Sequence, residues 1–130
     1  MKPLTREWVE KAEGDFATAG RESRARKRPN YDAVCFHAQQ CAEKYIKAIL
    51  QEQDIPFGKT HNLIALLEIL IPAKPSWELL RPSLESLTGF GVHVRYPGET
   101  ADKATAKEAL SHCRTIRLEA MNVLGLENEV

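Results

Sequence analysis

The chain has no cysteine pairing pattern, no excess of either charge and no apolar run long enough to span a bilayer, and each absence removes a class of function. Its three cysteines, Cys35, Cys41 and Cys113, are odd in number and show no C-x-x-C spacing. They fall on or beside helical apolar faces and read as reduced packing residues of a cytoplasmic protein. Eighteen lysines and arginines balance eighteen aspartates and glutamates, so the field of the whole chain gives no general reason to bind nucleic acid or membrane. The amino terminus, "MKPLTREWVEK", lacks the apolar core of a secretory signal. The greasiest run, "LIALLEILIPA" (63–73), is too short to cross a bilayer and carries Glu68, so no membrane partner is expected. No segment alternates with period two over strand length, which argues against a sheet. Nothing repeats and no linker interrupts the 130 residues, so one domain over 1–130 with one core is expected.

What is present is helical patterning. The first helix is expected to start at Thr5 as cap, with Leu4 and Val9 as a hydrophobic staple, and to turn Trp8, Ala12, Phe16 and Ala19 inward. Asp15 lies at the edge of that stripe. It is either a half-buried partner for a cation on another helix or a rim residue, and the rim reading is preferred. The helix should end in "RESRARKR" (21–28), whose cations suit the negative end of its dipole, before Pro29.

A second helix from the cap Asn30 to about Gln53 carries one broad apolar arc: Tyr31, Val34, Ala38, Cys41, Ala42, Tyr45, Ala48 and Ile49. His37, Gln40, Lys44, Lys47 and Gln51 line a polar side. Phe36 and Leu50 fall outside the arc, so this helix is expected to touch protein on two sides, as the centre of a bundle or part of a subunit interface. Thr60 should cap a short buried helix, and Ser76 a fourth that Pro82 kinks or restarts, with Gly89 and Gly91 releasing the chain. A last helix from near Thr100 has the seam Ala106, Ala109, Cys113, Ile116, Ala120 and Val123, ended by Gly125. The spacing predicts an all-α antiparallel bundle.

Trp8 and Asp15, then "CFHAQQCAEKYIKAIL" (35–50), "THNLIALL" (60–67) and "VRYPGE" (94–99) before an alanine-rich last helix, together resemble the HEPN domains, named for higher eukaryotic and prokaryotic nucleotide binding. The resemblance runs through nearly the whole chain in order. It implies an up-and-down bundle of four to five helices that forms a homodimer, often encoded beside a minimal nucleotidyltransferase as a toxin–antitoxin-like pair. This chain has no glycine-serine plus paired-aspartate motif, so nucleotidyl transfer would belong to a partner protein.

Many HEPN proteins are metal-independent ribonucleases in which an arginine is followed four to six residues later by a histidine. Arginine can stabilise charge on a phosphate while histidine handles protons at a 2′-hydroxyl. Arg95 fits the first position, but Thr100, Ala101 and Asp102 occupy the places where the histidine should stand. His93 precedes Arg95 and His112 lies well inside the last helix. The expectation is therefore a nucleotide- or RNA-binding module in which Arg95 holds phosphate, Tyr96 stacks, and Gln40, Lys44 and Lys47 make a cationic groove, with Asp15, Glu43 and His61 in support. The bland alternative pairs Arg95 with Asp15 or Glu43 inside the bundle. The enzymatic alternative is a ribonuclease using Arg95 with a displaced base, His93 or His112. His37 with Cys41 and Glu108 with His112 have metal-ligand spacing but no third and fourth ligand, so no metal or other cofactor is expected.

Overall fold

A computed structural model describes residues 1–93 and 97–126. It contains α1 (Pro3–Ser23), α2 (Tyr31–Glu52), α3 (Leu63–Leu70), a 3-10 turn over Pro75–Leu80, α4 (Arg81–His93) and α5 (Lys103–Leu124). Among the described residues there is no strand, and the helical bundle expected from the spacing is what forms.

The helix ends follow local capping chemistry, in places not where the sequence pattern put them. Pro3 opens α1, since the first helical position needs no N–H, and Lys2 precedes it without a side-chain cap. Thr5 is therefore inside the helix, where it is buried and donates its hydroxyl to Glu52 Oε1 at 2.9 Å. Leu4, expected to staple onto Val9, is largely exposed. Asn30 caps α2 as expected, accepting the Ala33 N–H at 3.0 Å. The α3 cap is Asn62, which accepts from Ile64 and Ala65, while Thr60 acts one step earlier by accepting the Asn62 N–H. Pro82 sits in the first turn of α4, so it restarts the helix after the 3-10 turn. Gly89 does not end α4, which continues to His93. α5 begins later than Thr100, at Lys103, because Asp102 accepts the Thr105 N–H at 2.7 Å. Gly125 closes α5 at φ 71°, a left-handed position that only glycine takes without steric cost.

α1 and α2 form an antiparallel hairpin. Thr5 meets Glu52, Trp8 meets Lys47, and Asp15 meets Lys44 and His37. Partner numbers fall as the α1 numbers rise. α2 also packs on α3, α4 and α5, so it is the central helix. From Tyr45 to Leu50 every residue of α2 is buried, and Leu50 joins the core from the side opposite the main arc. Phe36, the other residue outside that arc, stays 44% exposed. Leu63, Leu66, Leu67, Leu70, Trp77, Leu84 and Leu87 fill the space beyond α2, and each such side chain stabilises the fold by roughly 1.5–3 kcal/mol through burial. On α5 the seam from Ala106 to Ala120 is buried, with Val123 only partly covered.

The three cysteines are free and buried. The Cys113 thiol beside Cys41, together with burial, pushes the Cys41 thiol far up. Burial, then Asp32 and Asp102, raise that of Cys35 to about 11. No described helix is long and apolar enough to cross a membrane.

Candidate functional site

The α1–α2 face carries two charged clusters side by side. In the first, Asp15 is 8% exposed. It accepts from Lys44 Nζ at 2.5 Å and lies 2.7 Å from His37 Nδ1. Asp15 is thus the buried partner of a cation on another helix, Lys44, with His37 beside it, and not a rim residue. Its place on the stripe edge turns it toward α2, and two α2 side chains seven residues apart reach it. A carboxylate on Nδ1 fixes the imidazole orientation and leaves Nε2 as the working nitrogen. Nε2 has no partner among the described residues, and the ring is partly exposed against Phe36, with centroids 5.1 Å apart. Gln40, one turn from both His37 and Lys44, is also partly exposed.

In the second cluster, Glu43 is 2% and Lys47 4% exposed, and they pair at 3.1 Å. His61 Nδ1 stands 3.1 Å from the same carboxylate, with its own ring mostly in solvent. The Lys47 ammonium lies 5.4 Å from the Trp8 ring centre, and Trp8 meets Phe57 edge to face. Lys47 is therefore withdrawn from the surface. The expected cationic groove is electrically balanced, two lysines against Asp15 and Glu43. Sequence periodicity placed Lys47 on a polar side because it could not see that Trp8 roofs it.

A third network joins α1, α2 and α5. Arg117 donates to both oxygens of Glu13 at 2.7 Å, and the Tyr45 hydroxyl donates to the same carboxylate at 2.6 Å. The Arg117 guanidinium also stacks 4.2 Å from the centre of Phe16. Burial pushes the Glu13 carboxyl up, but the Arg117 and Tyr45 hydrogen bonds outweigh it and hold it below the usual range. Burial and then the Glu13 carboxylate push the Tyr45 phenol far up, so it serves as a donor. A cavity of about 270 Å³ opens beside this network between Arg6, Val9, Glu10 and Met121. Phe16 and Tyr45 were expected to face inward, but the Glu13–Arg117 pair was not legible beforehand, because it joins residues 104 apart in the chain.

Arg95 and Tyr96 lie outside the described residues, as does the side chain of His93. The loop after them is exposed from Pro97 to Thr100 and is tied to α2 where Asp32 accepts the Ala101 N–H at 2.6 Å. His112 Nδ1 stands 3.0 Å from Ser83 Oγ, and its Nε2 is 3.5 Å from Glu108. This histidine bridges α4 and α5. His37 and Cys41 do not share a ligand position: His37 turns to Asp15, whereas Cys41 is fully buried. No group of three or more potential metal ligands occurs among the described residues.

A family model described as the HEPN domain matches residues 5–123. Among solved structures, the chain is similar to an archaeal HEPN homologue, at 24% sequence identity and a TM-score of 0.65, covering 94% of this chain and 98% of that one. No curated protein matches this chain at a significant level.

Proposed function

This chain belongs to the HEPN domain family, and from that premise we propose that it is a nucleotide- or RNA-binding module. It works as a homodimer beside a separately encoded minimal nucleotidyltransferase, in a toxin–antitoxin-like pair. The observation that carries this reading is the Asp15–His37–Lys44 cluster, an ordered, partly solvent-facing polar site on an otherwise packed hairpin. In this reading Arg95 holds phosphate and Tyr96 stacks on a base, which is worth about 1–3 kcal/mol per base. Lys44 and Gln40 offer donors from α2, and Glu43, Lys47 and His61 stiffen the helix behind them. Titration of labelled RNA and nucleoside triphosphates at several salt concentrations tests it. Arg95→Ala and Lys44→Ala should each weaken salt-sensitive binding by about tenfold or more. Binding that is insensitive to salt, or unchanged in Arg95→Ala, overturns the assignment. Co-purification with a nucleotidyltransferase but no affinity for nucleotide would make the protein a structural adaptor.

One observation favours a second reading, a metal-independent ribonuclease. Besides His93 and His112, His37 is a candidate for the displaced base, since its ring is oriented by Asp15 as a general base requires. Metal-free RNA cleavage lost in both Arg95→Ala and His37→Ala would establish it. An inactive unaltered protein would dismiss it.

A further inference from the structure

The basic run is poorly explained by helix capping. α1 ends at Ser23 with Arg24 after it, so only Arg21 lies in the last turn. Arg26, Lys27 and Arg28 lie beyond the helix, where its dipole has faded. All five cations are exposed. Among the described residues, no carboxylate stands within ion-pair distance of any of them. The two acids nearest in the chain are engaged with backbone: Glu22 accepts the Asn30 N–H at 2.7 Å, and Asp32 accepts the Ala101 N–H. In a chain of zero net charge these cations outnumber Glu22 and Asp32 and leave a local positive field, and screening within about 8–10 Å keeps distant acids from cancelling it.

Next to these cations is a cavity of about 360 Å³ lined by Arg28, Pro29, Asn30, Tyr31, Asp32, Thr100 and Ala101. Its size falls in the range of small-ligand sites. A guanidinium, an aromatic ring, a hydroxyl and the Asp32 carboxylate surround it; the first three suit a phosphate, a base and a sugar, and Asp32 is held by the Ala101 N–H. Thr100 and Ala101, on its wall, follow Tyr96 by four and five residues in the sequence.

We propose that the α1–α2 turn is a second contact surface for single-stranded RNA, with Arg26, Lys27 and Arg28 on successive phosphates and one nucleotide unit seated beside Arg28, Tyr31 and Thr100. The proposal rests on the nucleotide- or RNA-binding reading above and adds the hairpin tip to it as a contact for the same strand. RNA fits better than an anionic membrane, because the large exposed apolar residues, Leu4, Phe36, Leu79 and Leu118, all lie outside the turn. A basic surface that enters a bilayer interface needs such residues close by.

The test uses the full chain, a fluorescent 12-nucleotide single-stranded RNA and anisotropy from about 50 to 500 mM salt, with vesicles rich in phosphatidylserine as a second probe. Each phosphate contact on a single strand contributes about 0.7 to the slope of log affinity against log salt. The variant Arg26→Gln/Lys27→Gln/Arg28→Gln should therefore lower that slope by about 2, with an unchanged melting temperature. If the triple variant is destabilised, Arg26→Gln and Lys27→Gln singly should each lower it by about 0.7. An unchanged slope overturns the turn site and leaves the Arg95 reading intact. Normal binding by Arg95→Ala, with loss in the turn variant, overturns the Arg95 reading and keeps this one. No RNA binding by the unaltered protein overturns both. Vesicle binding that depends on the turn, with RNA binding that does not, assigns the surface to membrane and overturns the proposal.

Discussion

Replacing Lys47 with methionine would keep most of the volume that packs under Trp8 and remove only the ammonium. Glu43, 2% exposed, would then be a buried carboxylate with His61 as its remaining partner, at the solvent edge. Breaking a buried pair by deleting one member costs about 3–5 kcal/mol, because the other charge stays desolvated. His61 offsets part of this, so the lower end, about 3 kcal/mol, applies. Loss of the cation over the Trp8 ring adds about 0.5 kcal/mol. For a chain of this size each kcal/mol moves the melting temperature by about 3–4 °C, so Lys47→Met should melt about 10 °C lower and show a matching fall in the urea midpoint. Glu43→Met/Lys47→Met removes both charges and should return to within about 1 kcal/mol of the unaltered protein. The two changes must then couple strongly in a double-mutant cycle. If Lys47→Met costs less than about 1 kcal/mol and the cycle shows no coupling, the pair does not hold α2 and the reasoning is refuted.

Arg117→Ala removes two hydrogen bonds to Glu13 and the stack on Phe16 and should cost about 2–3 kcal/mol in urea denaturation, against about 1 kcal/mol for Tyr45→Phe. Glu13 ionises below its ordinary value of 4.5 in the folded chain. Its contribution is therefore complete above that value and is lost as pH falls through the depressed one. Stability should drop as pH falls below about 4.5, less steeply in Glu13→Gln. Gly125→Ala forces a side chain into φ 71° and should lower stability by about 1 kcal/mol, read as a thermal shift of a few degrees. All three thiols are buried and that of Cys35 is raised to about 11, so the native protein should resist iodoacetamide at about pH 8 until it unfolds.

The bundle was legible because its signal is periodic. The α5 seam and the broad arc of α2 name their buried faces without reference to any other helix, and Asn30 and Gly125 mark ends by chemistry that acts within three residues. The α1 start was misread because Pro3 and Thr5 both suit a helix beginning; Pro3 opens the helix, and the Thr5 hydroxyl goes to Glu52, a partner across the hairpin that the sequence pattern does not reveal. The site was less legible because its residues are joined across helices. Asp15 was noticed at the edge of its stripe, yet its two partners depend on the register of α1 against α2. His37 was weighed as a metal ligand and emerged as the imidazole that Asp15 orients. Glu13 and Arg117 gave no signal at all, being ordinary charged residues one step from apolar stripes in helices far apart in sequence.

The uneven covering of α2 gives this one helix two characters. From Tyr45 to Leu50 it is enclosed on all sides, so its backbone amides open only when the whole bundle does. Toward Asn30 one flank meets water, with Phe36 and His37 among its residues, and the amides there can exchange through small local openings. The enclosed half anchors the helix axis, and the open half can adjust side chains to a visitor without loosening the anchor. Sequence change should be tolerated along the same gradient, sparse from Tyr45 to Leu50 and freer at the water-facing positions before it, so that new specificities arise on that flank while the bundle itself stays constant.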